Sequence, residues 1–129
     1  MERILIVDDS PTIRRMVKTS LASLPDAPSF TEASSGLEAI EQLALGTVAL
    51  MVLDLNMPDI HGLEVLEFIR RHQKYRSLPV VVLTTRGEDE SRRAAMDAGA
   101  TAFMTKPFVP GELAAQVLAL LAAGPVPRP

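Results

Sequence analysis

Three carboxylates, two hydroxyls and one ammonium stand at the ends of short apolar runs in this chain. Asp8 and Asp9 follow residues 3–7, Asp54 follows 48–53, Thr84 and Thr85 close 79–84, and Lys106 follows 101–105. Carboxylates gathered in one cleft repel and raise one another's pKa values unless a cation offsets them. A hard divalent ion such as Mg²⁺ (or Mn²⁺) fits that need, because it prefers oxygen ligands and binds through one or two carboxylates while keeping several waters. Each position has a plainer reading. Asp8 and Asp9 suit a turn into the Ser10-Pro11 segment, Thr84 suits a β-branched strand residue, and Lys106 suits a surface lysine at a strand end.

The elements that must position these residues are legible as alternation. Five short runs, 3–7, 29–33, 48–53, 79–84 and 101–105, alternate with five longer stretches of helical character. The first, third and fourth runs are nearly unbroken Val, Ile, Leu and Met, the pattern of strands covered on both faces. The second and fifth carry more polar residues, which suits edges. The expected fold is α/β: one doubly wound, five-stranded parallel sheet of order 2-1-3-4-5, flavodoxin-like, with five helices. In such a sheet ligands bind beyond the carboxyl ends of the strands, beside the point where strand order reverses. All of the candidate residues fall there.

Caps and periodicity place the helices. Ser10-Pro11 gives an N-cap and a first-turn proline before Ile13, Met16, Val17, Leu21 and Leu24 on one face, with Arg14, Arg15 and Lys18 opposite. Ser35 and Glu38 form a capping box ahead of Ile40 and Leu43. A third helix follows Gly62 with Leu63, Leu66 and Ile69 inward. The fourth starts near Glu88-Asp89-Glu90 and ends at Gly99, and the fifth starts near Pro110 with Leu113, Val117 and Leu120 inward. Residues 1–123 read as one domain. Residues 124–129, with three prolines, read as a disordered tail.

Composition narrows the function classes. The formal net charge of −3, the absence of Trp and the single Tyr argue against direct nucleic-acid binding. No apolar run reaches the about 18 residues of a membrane span, and no signal-peptide layout opens the chain. With no cysteine, disulfides and thiolate metal sites are excluded; a reducing cytoplasm is compatible and is the expected location.

Five stretches then carry a resemblance: Ile-Leu-Ile-Val-Asp-Asp-Ser (4–10), Leu-Asp-Leu-Asn-Met-Pro-Asp-Ile-His-Gly (53–62), Pro-Val-Val-Val-Leu-Thr-Thr (79–85), Ala-Gly-Ala (98–100) and Thr-Lys-Pro-Phe (105–108). The chain resembles the receiver domains of two-component response regulators, the chemotaxis regulator among them, from residue 3 to about 122. The resemblance implies a phosphorylation switch. Asp54 corresponds to the phosphoacceptor, Asp8 and Asp9 to the acidic pair that binds Mg²⁺ with Asp54, and Asn56 to the residue whose backbone carbonyl completes the metal shell. Thr84 and Lys106 correspond to the hydroxyl and ammonium that meet the phosphoryl group. Phe103 corresponds to an aromatic switch that turns inward when Thr84 moves, and the Lys106–Pro107 bond to a cis peptide. Asn56 and Arg86 match positions that tune the lifetime of the signal.

The resemblance also implies partners: a sensor histidine kinase or phosphotransfer protein upstream, and an unknown protein target downstream. The module is expected to promote only its own phosphorylation and slow dephosphorylation, and so not to be an enzyme in the usual sense. The fourth helix has only Ala and one Met as apolar residues between 91 and 98, so it is the expected moving part. The output surface is expected on the fourth helix, fifth strand and fifth helix. Residues 113–123 carry no charge, and Ala114, Ala115, Leu118, Ala119 and Ala122 leave either an alanine-rich helix or an interface with a second copy or a partner. Arg14, Arg15 and Lys18 either steer an acidic kinase domain or form a solvated basic face. The alternative function is a haloacid dehalogenase-like, Mg²⁺-dependent phosphatase with an Asp nucleophile. Such an enzyme wants a second Asp two residues on, where this chain has Asn56. A flavin-binding module would want a Ser/Thr/Gly-rich loop where Asp8-Asp9-Ser10-Pro11 stands.

Overall fold

Ten elements alternate strand and helix: β1 Arg3–Val7, α1 Pro11–Leu21, β2 Ser29–Ala33, α2 Gly36–Leu45, β3 Leu50–Leu53, α3 Gly62–Arg71, β4 Val80–Thr84, α4 Asp89–Asp97, β5 Ala102–Thr105 and α5 Pro110–Ala123. They come from a computed structural model that describes residues 2–85 and 87–125. Every strand pair is parallel, and the sheet order is β2-β1-β3-β4-β5, as the apolar runs predict.

Because side chains alternate across a strand, each inner strand serves two cores. Leu5 and Val7 of β1, Met51 and Leu53 of β3, and Val80 and Val82 of β4 point to the layer of α2, α3 and α4, where Leu66 and Ile69 meet them. Ile4 and Ile6, Leu50 and Val52, and Val81 and Leu83 point to α1 and α5, against Val17, Leu21, Leu113 and Val117. Both faces of the sheet are therefore dry, which is why these runs are continuously apolar. Burying each of these side chains stabilises the fold by roughly 1.5–3 kcal/mol before chain entropy is counted.

Several boundaries and faces differ from expectation. β3 begins at Leu50 instead of 48, although the Ala49 N–H already bonds the Arg3 carbonyl just ahead of the β1–β3 pairing. Met16 is 44% exposed, at the edge of the α1 apolar stripe rather than within it. Val65, unforeseen, is fully buried on α3. Ser35 caps α2 by accepting from the Glu38 N–H, yet the Glu38 carboxylate turns to Ser34 and accepts from its N–H and hydroxyl, so only half of the expected box forms. Gly99, at φ 110°, ends the α4 segment in a conformation L side chains avoid. Of the expected tail, Gly124 closes α5, while 126–129 lie outside the described residues. Among the described residues, no helix is long and apolar enough to cross a membrane.

Candidate functional site

The site grows directly out of the sheet ladders. The Asp8 N–H donates to the Ala33 carbonyl at 3.0 Å and the Asp54 N–H to the Val7 carbonyl at 2.9 Å, so both acids continue the strand pairing by one residue. Asp8 then turns the chain: its Oδ1 accepts from the Ser10 N–H at 2.9 Å, and Ser10 Oγ caps α1 by accepting from the Ile13 N–H at 3.2 Å. This turn leaves Asp8 buried and Asp9 exposed at the mouth. After Asp54 the Asn56 N–H folds back to donate to Asp54 Oδ1 at 3.2 Å. Gly62 lets α3 start hard against this corner, since a Cβ there would lie 2.7 Å from the Asp54 carbonyl oxygen.

The other side comes from β4 and β5. Lys106 donates its N–H to the Thr84 carbonyl at 2.8 Å, and the Lys106–Pro107 peptide is cis. Its Nζ lies 2.6 Å from Asp8 Oδ2 and 3.5 Å from Asp54 Oδ2. Thr84 is fully buried, and its Oγ1 accepts from Asn56 Nδ2 at 3.4 Å. One carboxylate oxygen from each of Asp8, Asp9 and Asp54 falls within 4.8 Å of the others. Asp8, Asp9, Asp54, Asn56, Thr84 and Lys106 are thus brought to one edge.

Burial, above all, holds the Asp54 carboxyl above its ordinary value, and the Asp8 charge adds to this; the Lys106 ammonium and the Asn56 N–H oppose it. Among the described residues, Lys106 sets one ammonium against three carboxylates, which leaves an excess of negative charge in a partly dry corner. That donor set, all oxygen and tightly grouped, fits a hard divalent cation. Chemically, the corner offers a carboxylate that can act as a nucleophile once its charge is offset, with a fixed positive point beside it.

Two contributors carry no local signal in the sequence. Arg14 was expected on the solvent side of α1. Instead its Nη1 donates to the Asp8 carbonyl at 2.6 Å and its Nε pairs with Glu32 at 2.9 Å. Lys18 also pairs with Glu32, at 2.7 Å, and holds its carboxyl below the usual range, so Arg14 and Lys18 are both engaged within the molecule. Asp59, in the loop between β3 and α3, accepts from the N–H groups of Gly36 and Leu37 at the start of α2. Those partners are more than 20 positions away, beyond any local pattern.

Phe103 is 8% exposed, packed in the core with the Arg92 guanidinium 4.8 Å from its ring centre. The ring therefore lies inside the fold here, beside the strand that carries Thr84. Arg86 lies outside the described residues. On α4 only Ala95 is fully buried. On α5 Leu118 is exposed and Ala114 packs toward the α1 side, so the outer apolar face is narrower than expected.

Residues 4–118 match the response regulator receiver domain family. A chemotaxis protein CheY homolog of Campylobacter jejuni is 34% identical over 123 residues, covering 95% of this chain and 94% of its own. The structure of chemotaxis response regulator CheY4 of Vibrio cholerae superposes with a TM-score of 0.84 at 30% identity, over 93% of this chain and 98% of that one. The Mn²⁺-bound form of response regulator Rcp1 superposes with a TM-score of 0.80 at 28% identity, over 93% of this chain and 91% of that chain. The haloacid dehalogenase-like alternative finds no support in these likenesses.

Proposed function

Because the chain belongs to the response regulator receiver domain family, we propose that Asp54 is the residue that carries its signal. The protein is a phosphorylation-dependent signalling switch and not a classical enzyme. The observation that carries the assignment is the bridge of Lys106 Nζ between Asp8 and Asp54, at 2.6 and 3.5 Å, from the far end of the sequence.

An Asp54 carboxylate oxygen attacks phosphorus, the bond from phosphorus to the donor's leaving atom breaks, and an acyl phosphate remains on Asp54. Lys106 releases Asp8 in part and turns its ammonium to the incoming phosphoryl oxygens. Asp8, Asp9, Asp54 and the backbone carbonyl of Asn56 would hold Mg²⁺ or Mn²⁺. Bound there, the ion supplies charge that offsets repulsion between the donor's phosphoryl oxygens and Asp54. The Mn²⁺-bound state of Rcp1 supports that choice of ion. Thr84 exchanges its contact with Asn56 for one with the new phosphoryl oxygens, and Asn56, with Arg86, sets water access and hence lifetime.

The output follows from the least anchored part. Phe103 and Arg92 lie where α4 meets β5, and movement of Thr84, at the end of the neighbouring strand, shifts the population of α4 and β5 arrangements. Upstream stands a histidine kinase or phosphotransfer protein in a reducing cytoplasm; downstream, a protein that reads α4, β5 and α5. A domain boundary near residue 123 belongs to this reading, and the end of α5 at Ala123 supports it. Incubation with a small acyl phosphate and Mg²⁺ tests the core of this reading. Wild type should take up one acid-stable, hydroxylamine-sensitive phosphoryl group, and Asp54→Asn none; equal labelling of both would remove Asp54 from its role.

A further inference from the structure

The loop between β3 and α3 is held at three points. At its end Gly62 lies against Asp54, where a Cβ would come within 2.7 Å of the Asp54 carbonyl oxygen. In its middle Ile60 lies against Gly36, whose added Cβ would meet Ile60 Cβ at 2.7 Å. Just before Ile60, Asp59 reaches across to α2. Its Oδ1 accepts from the Gly36 N–H at 3.0 Å and its Oδ2 from the Leu37 N–H at 3.1 Å. Both carboxylate oxygens are thus committed to the first turn of a different helix. The same loop carries Asn56, which donates its N–H to Asp54 Oδ1 and its amide to Thr84 Oγ1.

We propose that Asp59 is a positioning residue for the acidic site: its two-point hold on α2 fixes the loop that places Asn56, and through Asn56 the Asp54 carboxylate. The inference rests on the reading of Asp8, Asp9 and Asp54 as a divalent-cation site. The two helix N–H groups are orphan donors of the first turn, which find no acceptor within their own helix. A carboxylate there forms charge-assisted bonds, and two such bonds fix orientation as well as distance. Without them Asn56 wanders, and Asp54 loses the N–H that orients one of its oxygens. Partners bonded directly to metal ligands typically set about 10- to 100-fold of metal affinity, and Asp59 acts one step further out, so its effect belongs at the low end of that range.

Ser35 provides the control. It caps the same helix by accepting from the Glu38 N–H at 3.2 Å and has no bond to the loop. Ser35→Ala and Asp59→Ala should lower Tm by similar amounts, since each strips donors at the start of α2. Mg²⁺ binding by calorimetry, using the whole chain and MgCl₂ alone, should separate them. Asp59→Ala is expected to weaken Mg²⁺ about 10-fold, with Ser35→Ala unchanged. Asp59→Asn, neutral but with one acceptor oxygen left, should fall between alanine and wild type. Wild-type affinity in Asp59→Ala overturns the proposal, as does an equal loss in Ser35→Ala, which would make the effect one of helix stability. An Asn variant as weak as Ala also overturns it, because charge alone would then account for the loss. If wild type itself takes up no Mg²⁺, the cation site fails and the positioning role fails with it.

Discussion

At neutral pH the buried Asp54 carboxylate works against the fold that contains it. Its pKa in the folded state lies above the ordinary 3.8, chiefly through burial. The stability this group contributes is therefore fully present below about 3.8 and is lost as pH rises through the raised value. Asp54→Asn, neutral and of the same shape, should raise the metal-free Tm at pH 7 by a few degrees. That advantage should fade as pH falls toward 3.8, and Mg²⁺ should raise the Tm of wild type more than that of the variant; thermal melts at three pH values check all of this. Lys106→Ala removes the ammonium that pairs with both the Asp8 and the Asp54 carboxylates. Labelling by a small acyl phosphate should then slow by about 100-fold, the scale set by losing a preorganised charge contact. Lys106→Arg should recover little of it, because a planar guanidinium does not replace a compact ammonium point charge. At this scale the sequence was partly legible. Asp8, Asp54, Thr84 and Lys106 announce themselves by standing at strand ends. Arg14 and Asp59 do not, because each is defined by a backbone partner on another element.

Among the elements, α4 has the weakest hold. It buries only Ala95 fully, and its link to the sheet includes the stacking of Arg92 on the Phe103 ring. Binding a beryllofluoride phosphoryl mimic should change amide exchange most in α4 and β5; unchanged protection there would remove these elements from the output. Helix starts were legible where the cap is a neighbour, as at Ser10-Pro11, and misjudged where it is not. The α2 terminus looks like a Ser35–Glu38 box, yet Asp59 from a distant loop takes two of its donors and Glu38 turns to Ser34. β3 starts late for a similar reason: apolar composition continues through Val48, but strand pairing depends on what lies beside it.

Over the whole molecule, the sheet order was legible because burial on both faces writes unbroken apolar runs at β1, β3 and β4. What lay hidden was the division of each strand between two cores. Ile6 belongs to the α1 and α5 side although it is flanked by residues of the other. Ile6→Ala should cost about 2–5 kcal/mol, read as a fall in denaturation midpoint at unchanged slope. The loss should reach Mg²⁺ binding only through the folded fraction.

The bonds from Asp8 to Ala33 and from Asp54 to Val7 make the acids the last rungs of two ladders. Their spacing is thus gauged first by strand register, before any side-chain contact refines it. A chain whose β1 has paired one residue out of step would turn its core residues to the wrong faces and part the carboxylates together. Assembly of the site is in this way a test of pairing: only a sheet in register brings the two acids together.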